Sequence, residues 1–215
     1  MAYGAGKGEC LALLNEGRAD YNGRAKNAAH RYITSFDGLK LHALFFECPT
    51  TARGIVIISH GYRSAARHDF APILEKYLGL GYHVLAVDHR GHGKSRGEEI
   101  CFGVKERYDM RDWLVLLHEK HPDLLVFISG ISMGATVALL AAALPDVPDN
   151  LMGISADCGY SHPKKEVCHV LKNKMKVPVF PLYYLADLVC RGKAGFSFGD
   201  CDLVREINGI KAKYL

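Results

Sequence analysis

The chain has 215 residues, of which 49% are hydrophobic and 23% charged, enough apolar material to bury a substantial core in one domain and too little polar bias for disorder. Its net charge of +4 comes from lysines and arginines scattered along the sequence rather than gathered on one stripe, which excludes nucleic acid as the expected partner. Seven cysteines, an odd number without a Cys-x-x-Cys pair, read as reduced thiols, and an N-terminus without an apolar signal core makes the cytoplasm the expected location.

In chain order, residues 1–29 read as an N-terminal helical extension, with a charged helix over 9–29. Residues 31–35 and 39–47 form a hairpin around Asp37-Gly38, a strong turn dipeptide. Gly54–Ser59 is a buried strand that runs into the loop His60-Gly61-Tyr62-Arg63-Ser64. Phe70, Ile73, Leu74, Tyr77 and Leu78 have helical spacing over 70–80. A third apolar strand, 82–87, ends in Asp88-His89-Arg90-Gly91-His92-Gly93-Lys94-Ser95, whose glycines lack dinucleotide-binding spacing and read as a structural loop. Tyr108, Trp113, Leu114, Leu116 and Leu117 mark a helix over 107–120, closed by Pro122.

Residues 124–134, Leu-Leu-Val-Phe-Ile-Ser-Gly-Ile-Ser-Met-Gly, carry the most chemistry. A buried-strand run breaks into Gly130-x-Ser132-x-Gly134 and then into a helix over 135–144, the strand, turn and helix context of a nucleophile elbow. With the His-Gly loop and the Asp-x-Arg-Gly-x-Gly-x-Ser loop upstream, the chain resembles the α/β-hydrolase family over roughly residues 30–215, in its serine esterase, lipase and peptidase branch. The resemblance implies a mostly parallel, doubly wound sheet with helices on both faces and catalytic groups on loops at the carboxyl ends of strands. It further implies Ser132 as the catalytic nucleophile and the backbone N–H groups of Tyr62 and Met133 as the oxyanion hole.

Leu151–Asp157 reads as the next strand, residues 158–209 as a cap-like helical insertion on the 30–157 core, and residues 210–215 as the start of a further core strand, the last strands of the fold being absent. In a cap, Val179, Phe180, Leu182, Tyr183, Tyr184 and Phe196 are candidate acyl contacts or ordinary packing residues. The order serine, acid, histidine expected for a triad is incomplete. Only His162 and His169 follow the elbow, without a motif for either as base, and Asp157 is a possible acid that competes with a turn-capping role beside Cys158-Gly159. His60, His89 and His92 are expected to hydrogen-bond loops. The Leu151–Ala156 stretch would be an open sheet edge that invites self-association.

The expected function is a serine hydrolase of carboxylic esters, esterase- or lysophospholipase-like, acting on a small-molecule ester or acyl substrate through a Ser132 acyl-enzyme. Its alternatives are an inactive scaffold that binds partners and an acyltransferase or thioesterase using the same serine. No organic cofactor is expected, and no metal, since ligand spacings are absent. No membrane span is expected either: the apolar runs 135–144 and 177–190 fall short of the about 20 residues required.

Overall fold

The computed structural model describes residues 7–214. A seven-stranded sheet comprises β1 (Ala29–Thr34), β2 (Lys40–Phe46), β3 (Gly54–Ser59), β4 (Tyr82–Asp88), β5 (Val126–Ile131), β6 (Leu151–Asp157) and β7 (Lys213–Tyr214), in the spatial order β1-β2-β4-β3-β5-β6-β7. β1 and β2 are the expected hairpin, antiparallel and turned where the Leu39 amide donates to Ser35 Oγ at 2.9 Å and the Gly38 amide to the Ser35 carbonyl at 2.9 Å. All pairings from β4 through β3, β5 and β6 to β7 are parallel. Short crossovers through helices place the carboxyl ends of β3, β4, β5 and β6 on one rim.

The alternation of side chains along β3 explains why all six of its residues are buried. Val56 and Ile58 point to a layer formed by α1 (Lys7–Ala25), α2 (Ala66–Asp69) and α3 (Ala71–Gly79), where Tyr21, Phe70, Leu74 and Leu78 pack. Ile55 and Ile57 point to the opposite layer of α4 (Glu106–Lys120) and α5 (Met133–Ala142), with Trp113, Leu114, Val137 and Leu140. All ten residues of α5 are buried, which accounts for its lack of any polar face.

An ion network ties the hairpin to this scaffold. Buried Arg90, after β4, donates from Nε and Nη2 to Asp109 on α4 at 2.7 and 2.6 Å, and from Nη1 and Nη2 to Asp37 in the hairpin turn at 2.8 and 3.1 Å. Burial pushes the Asp109 carboxyl up to about 6 against the opposing Arg90 hydrogen bonds; at Asp37 burial also raises the pKa, but Arg90 outweighs it and holds the group below the usual carboxylate range.

After β6 the chain forms α6 (Pro163–His169), which widens into a π-turn over Val170–Lys174, then α7 (Val179–Val189) and α8 (Leu203–Glu206). The Thr136 hydroxyl accepts from the Tyr160 amide and donates to its carbonyl, both at 2.9 Å, so the start of this segment is fastened to α5. The edge of β6 is not wholly open as expected: β7 pairs with Gly153 and Ile154, because residues 210–214 return along it.

Candidate active site

Ser132 occupies the turn between β5 and α5 with φ 53° and ψ −116°, a conformation that side-chain-bearing residues rarely adopt. The flanking glycines are required by close approach. A Cβ on Gly130 would lie 2.5 Å from the Gly134 carbonyl oxygen, and one on Gly134 would lie 2.0 Å from that of Ser59. The turn is held from outside as well, the Ser132 amide donating to the Asp157 carbonyl at 2.8 Å. Met133 opens α5, where the first backbone N–H groups of a helix have no intrahelical acceptor and form the positive end of its dipole.

The His-Gly loop lies against this turn, so close that a Cβ on Gly61 would sit 3.5 Å from Ser132 Cβ. Its shape is fixed on either side of Tyr62. The Gly61 amide donates to Asp69 Oδ2 at 2.8 Å, Ser64 Oγ donates to Asp69 Oδ1 at 2.7 Å, and the Arg63 amide donates to His92 Nε2 at 3.1 Å. The Tyr62 ring stacks on Phe102, with centroids 5.3 Å apart.

Three buried histidines brace the loops from below, and their partners define their tautomers. His60 Nδ1 donates to the Gly61 carbonyl at 2.9 Å, leaving Nε2 to accept from the His89 amide at 3.3 Å. His92 Nδ1 likewise donates to the Arg90 carbonyl at 3.0 Å while Nε2 accepts from Arg63. Ser59 Oγ donates to the Gly134 carbonyl at 3.1 Å, so His89 Nε2 is the donor in its 3.0 Å contact with that hydroxyl. Burial holds His60 and His89 below the usual 6.5. These loop hydrogen bonds are the role expected from the sequence.

Ser132, Gly61, Tyr62 and Ile131 open into a cavity of about 650 Å³. Its walls are Phe102, Tyr160, Val167, Val170, Leu171, Met175 and Phe198, with Ser64, Asp69, Glu166 and Lys174 as its polar groups. The segment after β6 thus supplies apolar wall, but from α6 and its π-turn rather than from residues 179–184. Val179, Phe180, Leu182, Tyr183, Tyr184 and Phe196 do not line this cavity: Tyr183 and Phe196 are buried in the core, whereas Phe180 and Tyr184 are 74% and 58% exposed. α7 is anchored inward by Tyr183 and by Asp187, which accepts from Ser197 Oγ at 2.8 Å and the Phe198 amide at 2.9 Å, on the side of the core rather than of this cavity.

No histidine lines the cavity among the described residues. His162 Nδ1 caps α6 by accepting from the Lys164 amide at 3.2 Å, and His169 Nδ1 meets Asn173 Nδ2 at 3.0 Å. Asp157 ends β6 beside Ser132 through its backbone, while its exposed carboxylate makes no hydrogen bond to another described residue, neither the turn cap nor a contact with an imidazole. Sequence reasoning missed Asp69 and Thr136, whose contacts join loops to helices and leave no local motif.

Residues 50–193 match the model of the serine aminopeptidase S33 family. The chain is 30% identical over 169 residues to the protein YqkD of Bacillus subtilis, covering 78% of this chain and 54% of that one. It is 32% identical over 117 residues to the monoglyceride lipase of Homo sapiens, covering 52% of this chain and 37% of the lipase. The chain therefore spans about half or less of the length of these relatives. Among solved structures, a Pyrococcus furiosus esterase superposes with a TM-score of 0.67 at 28% identity, over 87% of this chain and 68% of the esterase.

Proposed function

Because the chain belongs to the serine aminopeptidase S33 family of α/β hydrolases, whose relatives here include esterases and monoglyceride lipases, we propose that it is the nucleophile-bearing part of a serine hydrolase of carboxylic esters. In this reading Ser132 Oγ attacks the ester carbonyl carbon, the Tyr62 and Met133 amides receive the oxyanion, the alcohol leaves with a proton, and water then releases the acid from the acyl-enzyme. The apolar part of the ester lies against Phe102, Leu171, Met175 and Phe198. The observation that carries the reading is the strained Ser132 at the floor of the cavity with the Met133 amide at a helix start beside it.

Ser132 needs a base to take its proton, and His60, His89 and His92 are committed to loop hydrogen bonds. The base is therefore supplied from outside the described residues. A second reading follows from the same observation: without such a base the chain is a scaffold that binds through the pocket, since losing the histidine typically costs on the order of 10⁶ in turnover.

Fluorophosphonate labelling of the protein in its native assembly, where a base carried outside these residues is present, read by intact mass with Ser132→Ala as control, separates the two. One adduct, absent from Ser132→Ala and formed at the rate of an active esterase, is the expected result. A folded protein that stays unlabelled, or is labelled elsewhere, leaves the scaffold reading.

A further inference from the structure

The outward side of α7 and the turn before it is apolar where a solvated helix would be polar. Met175, Phe180, Tyr184, Leu185, Leu188 and Val189 are 54–74% exposed. α7 buries Tyr183 and the carboxylate of Asp187, 5% and 9% exposed, against the core, and leaves Tyr184, Leu185 and Leu188 facing out. A contiguous apolar patch of this kind marks a surface that something covers.

Charge identifies the occupant. Residues 170–194 contain Lys172, Lys174, Lys176, Arg191 and Lys193 against the single acid Asp187, a net of +4 that equals the net charge of the entire chain. All five cations are exposed, and Asp187 is already paired with Arg191 at 2.8 Å. An apolar face flanked by lysines and arginines is the pattern of a helix that lies in the plane of a membrane interface, the apolar side chains among the acyl chains and the cations at anionic headgroups. A second copy of the chain fits poorly, because a two-fold contact through this face would bring both basic clusters together.

We propose that this face docks on an anionic lipid bilayer surface, with α7 lying on the membrane. No helix among the described residues is long and apolar enough to cross a bilayer, in keeping with a surface mode. Lys174 and Met175 belong both to this face and to the wall of the Ser132 cavity, so docking brings the cavity against the lipid. Docking requires no chemistry at Ser132 and stands or falls apart from the esterase reading.

The test is co-sedimentation of the full chain with phosphatidylcholine vesicles and with vesicles of phosphatidylcholine and phosphatidylglycerol at 7:3. Two variants accompany it, Phe180→Ser/Leu188→Ser and Lys172→Gln/Lys176→Gln/Lys193→Gln, each checked by circular dichroism and by fluorophosphonate labelling relative to the parent chain. Binding to the anionic vesicles alone is expected. It should weaken with salt, fall roughly fivefold for each charge removed, and be lost in the apolar variant with labelling unchanged. Equal binding to both vesicles, no binding to either, or binding indifferent to both variants overturns the proposal. So does a protein that is oligomeric in buffer and becomes monomeric in the apolar variant without ever binding vesicles, which would assign the face to a second copy.

Discussion

At Ser132 the backbone itself makes a measurable claim. A side chain held at φ 53° and ψ −116° carries strain on the order of 1–3 kcal/mol. Glycine escapes that strain but loses about 0.5–1 kcal/mol relative to alanine through its greater freedom when unfolded. At an ordinary position alanine is therefore the more stable of the two, whereas here Ser132→Gly should match or exceed Ser132→Ala in urea unfolding midpoint. Alanine winning by the usual margin would show that position 132 is unstrained. The buried histidines make a second claim, about pH. In the unfolded chain they take up protons near 6.5, but burial holds His60 and His89 below that in the fold, so the unfolded state binds more protons between the two values. Stability should thus be full above pH 7 and decline as pH falls through 6.5, by up to about 1.4 kcal/mol per pH unit for each histidine. His89→Asn should flatten that decline in urea titrations between pH 7.5 and 5; an unchanged slope would mean His89 titrates alike folded and unfolded. Ser132 and its glycines were legible in the sequence because a tight turn is written in consecutive residues. Asp69 was not, since its bonds to Gly61 and Ser64 arise only when α2 folds back over the loop.

Among the elements, the strands were the easiest to read. β3 is apolar at nearly every position because helices cover both faces, and the Asp37-Gly38 turn fixes the hairpin between it and the N-terminal helix. What holds the elements to one another was hidden. Arg90 lies in a glycine-punctuated loop, and nothing in its neighbourhood announces that it joins the hairpin turn to α4 through Asp37 and Asp109. Replacing Arg90 by leucine should destabilise the fold by about 3–5 kcal/mol, since buried Asp109 would be left without its cation while half-buried Asp37 keeps only Lys105 at 3.2 Å. Thermal and urea unfolding measure the loss, and a change under 1 kcal/mol would mean that solvent replaces the guanidinium easily. The segment after β6 left two readings open at Val179, Phe180, Leu182, Tyr183, Tyr184 and Phe196, pocket wall or packing, and Tyr183 and Phe196 pack in the core. A hydropathy pattern cannot show that polar Asp187 is buried beside them through its bonds to Ser197 and Phe198.

At the scale of the molecule, the two sheet faces are unequally covered. Opposite α4 and α5, the layer of α1 and α3 shields β2, β3 and β4, while toward β6 and β7 a hollow of about 420 Å³ remains, lined by Tyr82, Phe127, Met152, Ile154 and Tyr214. β7 pairs with β6 at only two positions, so most of that strand's outer backbone is unpaired among the described residues. An apolar hollow beside unpaired strand edge is a template for another strand or another apolar face, and native sheets normally blunt such edges with charge, proline or a covering helix. Concentration-dependent association is the expected consequence in dilute buffer. Met152, 45% exposed at the centre of the hollow's rim, is where a charge would act as such a gatekeeper at little cost to the fold. Sedimentation velocity over a range of protein concentrations should show Met152→Lys nearer to monomer than the parent chain, with the same unfolding midpoint at low concentration. A parent chain that is monomeric throughout would show that the short β7 pairing suffices to close the edge.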